Sequence, residues 1–362
     1  MKILFLDLLS PAGHLHLNRD LLEILTSLGS VDVACREGYL CAGFLPQNVG
    51  VLYGVPGEYY RFSGRLNTRL NCIRAITWVL RNIELRRYDI IFVSSYETVS
   101  FSLAWPSDIG PRVVLLNHNN LDELGNWAKG FAFRMIPTQI EHVVFEASFS
   151  DYLKADFGIR NRVWIMRHPI DQTIASEYRN AIAVEGSSDD ARPLVFAPSS
   201  SNDEDFICYL IEMDEAHYLS ELGVRFLVKS RRFSWTSSQL HVTTQPFSRG
   251  QYVRLMGDAA LGLLPYPPSY RYRASGVLFD FLALKKRFIG PSLPLFEQYV
   301  RKYPGIGLTY TDIRVSMDVL RSVLQERCPD AAFAMVREDH SFEAVREDLE
   351  NIVRGAGAHG AK

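Results

Sequence analysis

The chain has 362 residues, a formal net charge of -2 and 47% hydrophobic residues. That length is generous for one core, so two domains are expected; the near-neutral charge argues against general nucleic-acid binding, and no apolar run approaches the length that spans a bilayer. Five cysteines, Cys35, Cys41, Cys72, Cys208 and Cys328, are scattered and form no CxxC pair, which fits a reducing cytoplasm and argues against structural zinc.

The N-terminal run MKILFLDLLSPAGH has one lysine and no small-residue cleavage site, so it reads as a first strand over residues 2–8 and not as a signal peptide. Residues 15–28 put Leu17, Leu21, Leu22, Ile24, Leu25 and Leu28 at helical spacing, and a second strand follows over 31–35. This βαβ start predicts a parallel sheet, whose ligands gather at the carboxyl ends of its strands. The loop 10–14 therefore lies at a functional edge, with Gly13, His14 and the following His16 as candidate substrate contacts. The loop is not GxGxxG, and no acidic residue closes the second strand, which weakens a dehydrogenase reading.

Residues 61–87 hold seven arginines against one acidic residue, Glu84, with apolar residues interleaved. Such a helix suits anionic lipid headgroups at the inner membrane face, or the phosphates of an acceptor; it equally suits a solvated helix on one face of a domain. Strands are expected at 89–94, 113–116, 141–145 and 162–166. Tyr96 and Glu97 follow the first of these, and Asn117-His118-Asn119-Asn120 follows the second. Polar side chains at strand ends face a cleft or cap the next segment.

Residues 181–192, AIAVEGSSDDAR, form the expected linker. A second βα series then opens with a strand at 193–197, a loop containing Ser199, and a helix whose first turn is acidic. A strand over 225–228 ends at Lys229, and a helix over 249–257 leads to a strand over 259–264. The basic loop 270–273 follows, and Ser275 and Gly276 then start a helix. A strand, a polar loop and a small-residue helix start make an anion site, because backbone N–H groups and the helix dipole both favour phosphate. Ser275 equally suits an ordinary N-cap. The C-terminal stretch 341–354 has a helical stripe at Phe342, Val345, Leu349 and Ile352.

The stretches EHVVFEASFSDYLKADFGIRNRVWIMRHPID, FSRGQYVRLMGDAALGLLPY and YRYRASGVLFDFLALKKRFIG together resemble a GT-B glycosyltransferase of the retaining, sugar-nucleotide-dependent type. The resemblance implies an α/β chain with two Rossmann-like domains whose parallel sheets face each other across a cleft, and a C-terminal helix crossing back to the first domain. It implies an acceptor domain at 1–180, the linker at 181–192, a nucleotide-sugar domain at 193–340 and the C-terminal helix and tail at 341–362. The donor motif of that family carries two glutamates eight apart. Here those positions are Tyr272 and Asp280, so the ribose contact is kept with a shorter acid and the sugar contact is altered. Ser275, Gly276 and Val277 match the segment that faces the diphosphate, Lys229 matches a phosphate-binding lysine, and Arg273 is a candidate for the missing arginine. His118 matches a histidine lining the sugar site, with Glu97 a further candidate. The element 167–171, Arg-His-Pro-Ile-Asp, departs from the family's Asn-Gly-Val-Asp-like form.

The resemblance implies transfer of a hexose-type sugar from a UDP or GDP donor to a glycan or lipid-linked acceptor in cell-surface polysaccharide synthesis. It implies no cofactor and no required metal. Two alternatives stand beside it. One is a sugar-nucleotide epimerase or phosphorylase-like enzyme, for which Glu97 and Glu146 are the obvious carboxylates. The other is a catalytically reduced scaffold, favoured by Tyr272.

Overall fold

Alternation of apolar strands with amphipathic helices builds two mostly parallel sheets, each of seven strands among the described residues. The structure is a computed structural model describing residues 1–9, 15–39, 45–61, 65–171, 173–185, 192–325 and 330–355. Two compact units result: Met1–Pro169 together with the segment starting at Phe342, and Ile170–Ser341.

The first unit runs β1 (Lys2–Asp7), α1 (Leu15–Leu28), β2 (Ser30–Arg36), β3 (Leu52–Val55), α2 (Arg65–Asn82), β4 (Ile90–Ser95), α3 (Thr98–Ala104), β5 (Arg112–Leu116), α4 (Trp127–Arg134), β6 (Glu141–Val144), α5 (Ala147–Asp151) and β7 (Val163–Ile165). Its sheet order is β3-β2-β1-β4-β5-β6-β7, with every pair parallel. β1 and β4 are buried along nearly their whole length, which is why they read as unbroken apolar runs and not as alternation.

The second unit begins with α6 (Ile174–Glu185), then β8 (Leu194–Ala197), α7 (Glu204–Glu215), β9 (Arg225–Lys229), β10 (Trp235–Thr236), β11 (Leu240–Thr243), α8 (Arg249–Asp258), β12 (Ala259–Leu263), α9 (Gly276–Ala283), β13 (Phe288–Pro291), α10 (Pro294–Lys302), β14 (Gly307–Tyr310), α11 (Ser316–Gln325) and α12 (Asp330–Asp339). Its order is β10-β11-β9-β8-β12-β13-β14, parallel except for β10 with β11. Two apolar clusters, one around Phe196, Phe281 and Phe296 and one around Phe206, Phe226 and Ile289, supply its core. Gly262 lets α9 lie close on β12, since a Cβ there would come within 2.6 Å of the Phe281 ring.

In place of the expected linker, residues 181–185 continue α6, and residues 186–191 lie outside the described residues. The chain passes into the second unit earlier, at Pro169/Ile170. α6 is bound to α8 through Tyr178, whose hydroxyl donates to Asp258 Oδ1 at 2.9 Å and whose ring occupies the space a Gly257 side chain would fill.

The C-terminal helix, α13 (Phe342–Arg354), returns to the first unit as expected and packs against α1. Arg112 caps its open end, donating to the carbonyls of Val353 and Ile352 at 2.9 and 3.0 Å while pairing with Glu141. Arg167 forms a two-pronged pair with Asp348 at 2.7 Å for each bond, and its backbone N–H donates to the same carboxylate. The departure at Arg167 thus has a structural use: it anchors α13. No helix among the described residues is long and apolar enough to cross a membrane.

Candidate functional site

In a doubly wound sheet, ligands sit where the strand order reverses, outside the carboxyl ends of the two central strands. In the second unit that point lies between β8 and β12. The loops after those strands are tied together there. The Tyr266 hydroxyl pairs with Ser275 Oγ at 2.9 Å and also bonds the Ser199 hydroxyl, and Asp203 N donates to the Pro265 carbonyl at 2.6 Å. Burial is the largest influence on Tyr266 and pushes its hydroxyl up, so it stays protonated and bridges the two loops. Asn202, buried at the same edge, donates to the carbonyls of Ala197 and Lys229 at 3.0 and 2.9 Å and fixes the ends of β8 and β9.

Ser275 is fully buried and is the N-cap of α9: its Oγ accepts from Leu278 N at 3.1 Å. The cap reading and the anion reading are therefore compatible. The cap takes the third amide, and Gly276 and Val277 stand at the head of the helix. The approach to that head is open, since a Cβ built on Gly276 would meet no atom within 4 Å. Lys229 ends β9, two strands away in the sheet, with its ammonium donating to the Thr244 carbonyl. Burial pulls its pKa down from the ordinary lysine value.

Asp280 lies one turn into α9, and Tyr252 on α8 donates to its Oδ2 at 2.6 Å. Burial pushes this carboxyl up to about 6; Tyr252 and Arg249 oppose the shift, while Asp171 and Glu177 add to it. Arg249 sits between those last two acids, at 2.9 Å from Asp171 and 2.8 Å from Glu177. The sequence did not signal Tyr252, which stands 28 residues from its partner. Its only visible cue was the Ser248–Gln251 capping box that starts α8 one turn earlier.

The loop 266–273 is aromatic and cationic. Tyr266 stacks on Tyr270 with centroids 4.0 Å apart, the Arg273 guanidinium lies 4.8 Å from the Tyr270 centroid, and Arg271 lies 5.4 Å from that of Tyr272. Tyr272 and Arg273 are both half-buried, and the loop places them on the stretch that leads into α9.

In the first unit the order reverses between β1 and β4. Asp7 and Ser95, at the ends of these strands, are hydrogen-bonded. A cleft of about 820 Å³ opens beside them, lined by Arg69, Tyr96, Glu97, His118, Asn119 and Lys129 among others. His118 is buried, with its ring 5.1 Å from that of Phe145. The neighbouring amides are used to hold the loop: Asn117 accepts from the Tyr96 hydroxyl at 2.6 Å, and Asn120 donates to the Tyr96 carbonyl and to Thr98. Glu97 is the N-cap of α3, accepting from Ser100 N at 2.7 Å, and it pairs with Arg69 at 3.3 Å. Glu146 is buried outside the lining of this cleft, so the two carboxylates of the epimerase reading do not face each other there. His16 is half-buried on α1 and is not in the lining; Gly13 and His14 lie outside the described residues.

No protein-family model matches the chain, and no curated protein matches its sequence. Solved structures do match its fold. Sucrose-phosphate synthase from Thermosynechococcus elongatus superposes with a TM-score of 0.71 at 12% identity, covering 98% of both chains. Anabaena HepE in complex with UDP-glucose gives 0.68 at 13% identity, covering 98% of this chain and 100% of that one. The fold is GT-B. UDP-GlcNAc 2-epimerase from Methanocaldococcus jannaschii shares it more loosely, at a TM-score of 0.55 and 11% identity over 93% of this chain and 99% of that one. A GT-B scaffold therefore hosts more than one reaction, and the chemistry must be argued from the residues. Among the described residues, no group of three or more His, Cys, Asp or Glu is arranged to hold a metal ion.

Proposed function

We propose that this chain is a retaining hexosyltransferase that takes its sugar from a nucleoside diphosphate donor and passes it to a glycan or lipid-linked acceptor in cell-surface polysaccharide synthesis. The observation that carries the reading is the open head of α9 at the switch point of the second unit, with Lys229 ending β9 two strands away and Asp280 one turn into the helix. A diphosphate meets amides and a cation there, and a ribose meets a carboxylate. That Anabaena HepE carries UDP-glucose on the same fold supports a uridine donor.

The chemistry follows from where charge develops. The bond between the anomeric carbon and the diphosphate oxygen breaks, and its electron pair goes to the diphosphate. Lys229, Arg273 and the amides of Gly276 and Val277 stabilise that charge, so no metal is required for it. The acceptor oxygen bonds the anomeric carbon on the face the diphosphate leaves. The departing phosphate oxygen is then the nearest base for the acceptor proton. Asp280 holds the ribose hydroxyls, with Tyr252 orienting its carboxylate. His118, in the first unit, orients the acceptor hydroxyl. Glu97 serves as a cap at the rim of the acceptor cleft.

The test is transfer from UDP- and GDP-hexoses to a panel of glycan and lipid-linked acceptors, with the product anomer read by NMR. Retention of configuration is expected, with large losses in Lys229→Ala and His118→Ala. Wild-type rates in both variants contradict the assignment. Nucleotide binding without turnover across the whole panel would instead favour the reduced scaffold that Tyr272 suggests.

A further inference from the structure

Helix α4 is apolar on two sides. Gly130, Ala132 and Phe133 are buried against the first unit, which is the side the core uses. Trp127, Phe131 and Met135 are spaced four apart on the other side and are 82%, 60% and 58% exposed. A soluble helix normally keeps that outer stripe polar. Leu103 on α3 is 72% exposed and Leu70 on α2 is 51% exposed. These three helices pack in succession, α2 on α3 and α3 on α4. They also share one face of the sheet: the connections β3 to β4, β4 to β5 and β5 to β6 all step the same way along it, and β1 to β2 steps the other way.

The charge carried by these three helices is one-sided. α2, α3 and α4 hold six cations, Arg65, Arg69, Arg74, Arg81, Lys129 and Arg134, and no carboxylate. α1 and α13, which pack together on the opposite face, hold three cations and six carboxylates. Arg69 and Lys129 pair with Glu97 and Glu123 at the cleft, so among the described side chains the charge away from the cleft comes from Arg74, Arg81 and Arg134. The segments between these helices carry Glu84, Asp108, Asp122 and Glu123, of which Glu123 is paired with Lys129, so the positive excess belongs to the helices themselves. The basic segment 61–87 read alone suggested that α2 itself lies on lipid. The structure divides the labour differently: α2 spends Cys72, Ala75, Ile76 and Val79 on the core of the unit.

We propose that the α2–α3–α4 face of the first unit docks on an anionic lipid surface, with Trp127, Phe131 and Met135 entering the interface and the arginines of α2 and α4 meeting the headgroups. An indole and a phenyl ring on a short helix suit the boundary between headgroup and acyl chain, and the cations add attraction to anionic lipid. Trp127 directly follows Asn126 and Gly125 of the cleft lining, so docking would bring the mouth of the cleft to the membrane surface. This stands on the surface alone and does not require the sugar-transfer reading.

The experiment is sedimentation of the full chain with vesicles of phosphatidylcholine containing about a third phosphatidylglycerol, against phosphatidylcholine alone. Binding is expected to the anionic vesicles only and to fall steeply at about 0.5 M salt. Trp127→Ala with Phe131→Ala should weaken binding by about tenfold or more, since each ring contributes its buried area. Both rings are exposed, so the double variant should unfold at the same temperature as wild type and keep the same nucleotide-induced thermal shift. Failure of the docking idea is therefore distinguishable from failure of the donor site. No binding at low salt, or equal binding by the double variant, overturns the proposal. So does a wild-type dimer in light scattering that the double variant loses without change in vesicle binding, which would make this face a contact between copies of the chain.

Discussion

The two switch points have the same topology and use their polar residues in opposite ways. In the first unit, polar side chains at the strand ends are mostly consumed by the loops that carry them. Asn117 and Asn120 bind backbone and tyrosine, and Glu97 caps α3. His118, Asn119 and Asn120 of that tetrad line the cleft, and of these Asn120 is already spent on the Tyr96 carbonyl and Thr98. In the second unit, the structural work falls on buried hydroxyls, Ser275 and Tyr266, and the head of α9 stays open. A polar residue at a strand end is thus a weak sign of function until its partners are counted. An open helix start beside a cation is a stronger one.

Four substitutions test this contrast. The largest effect is expected from Lys229→Ala, with transfer slowed about 10²- to 10³-fold by loss of one group stabilising the leaving charge, measured as kcat in the transfer assay with folding checked by circular dichroism. Next is Ser275→Ala. It removes a cap and leaves the Tyr266 hydroxyl short of a buried partner, so a loss of about 2 kcal/mol is expected in urea unfolding.

Asp280→Asn should change the pH dependence of stability. The native carboxyl titrates at about 6 and its ordinary value is 3.8, so the native state holds the proton more tightly. Its contribution is complete below the unfolded pKa, is lost as pH rises through about 6, and is flat above that. Asparagine still accepts from Tyr252 and removes this titration. The variant should therefore gain about 1–2 kcal/mol relative to wild type at pH 8 and nothing at pH 3.5, the partial exposure of the side chain trimming the full linkage value. Unfolding curves at both pH values measure it. The smallest effect is expected from Glu97→Ala: a stability loss of about 1 kcal/mol from the cap, with kcat for transfer little changed. A kcat fall as large as that of Lys229→Ala would break the contrast.

Much of the fold was legible because buried parallel strands are apolar runs and their helices carry a clear stripe. α1 appeared at its full length, and Ser275 was readable as a cap. α4 was not, since its outward Trp127 and Phe131 erase the polar side that marks a surface helix. Nor was α3, which is only seven residues long. Within the site, the residue types after β12 pointed to the right loop. The bonds that build it join separated positions: Tyr252 with Asp280, and Tyr266 with both Ser199 and Ser275. Arg167 and Asp348 are 181 residues apart, and neither announces the other in sequence. Local pattern shows which loop matters, and tertiary pairing decides which of its side chains remain for a ligand.

The most direct measurement is the thermal shift of wild type and Lys229→Ala against UDP, GDP, CDP and TDP sugars. The account predicts clear stabilisation of the wild type by one base, with the shift largely lost in Lys229→Ala. No shift with any of the four, or an equal shift in both proteins, would contradict the assignment of a nucleotide diphosphate to the head of α9.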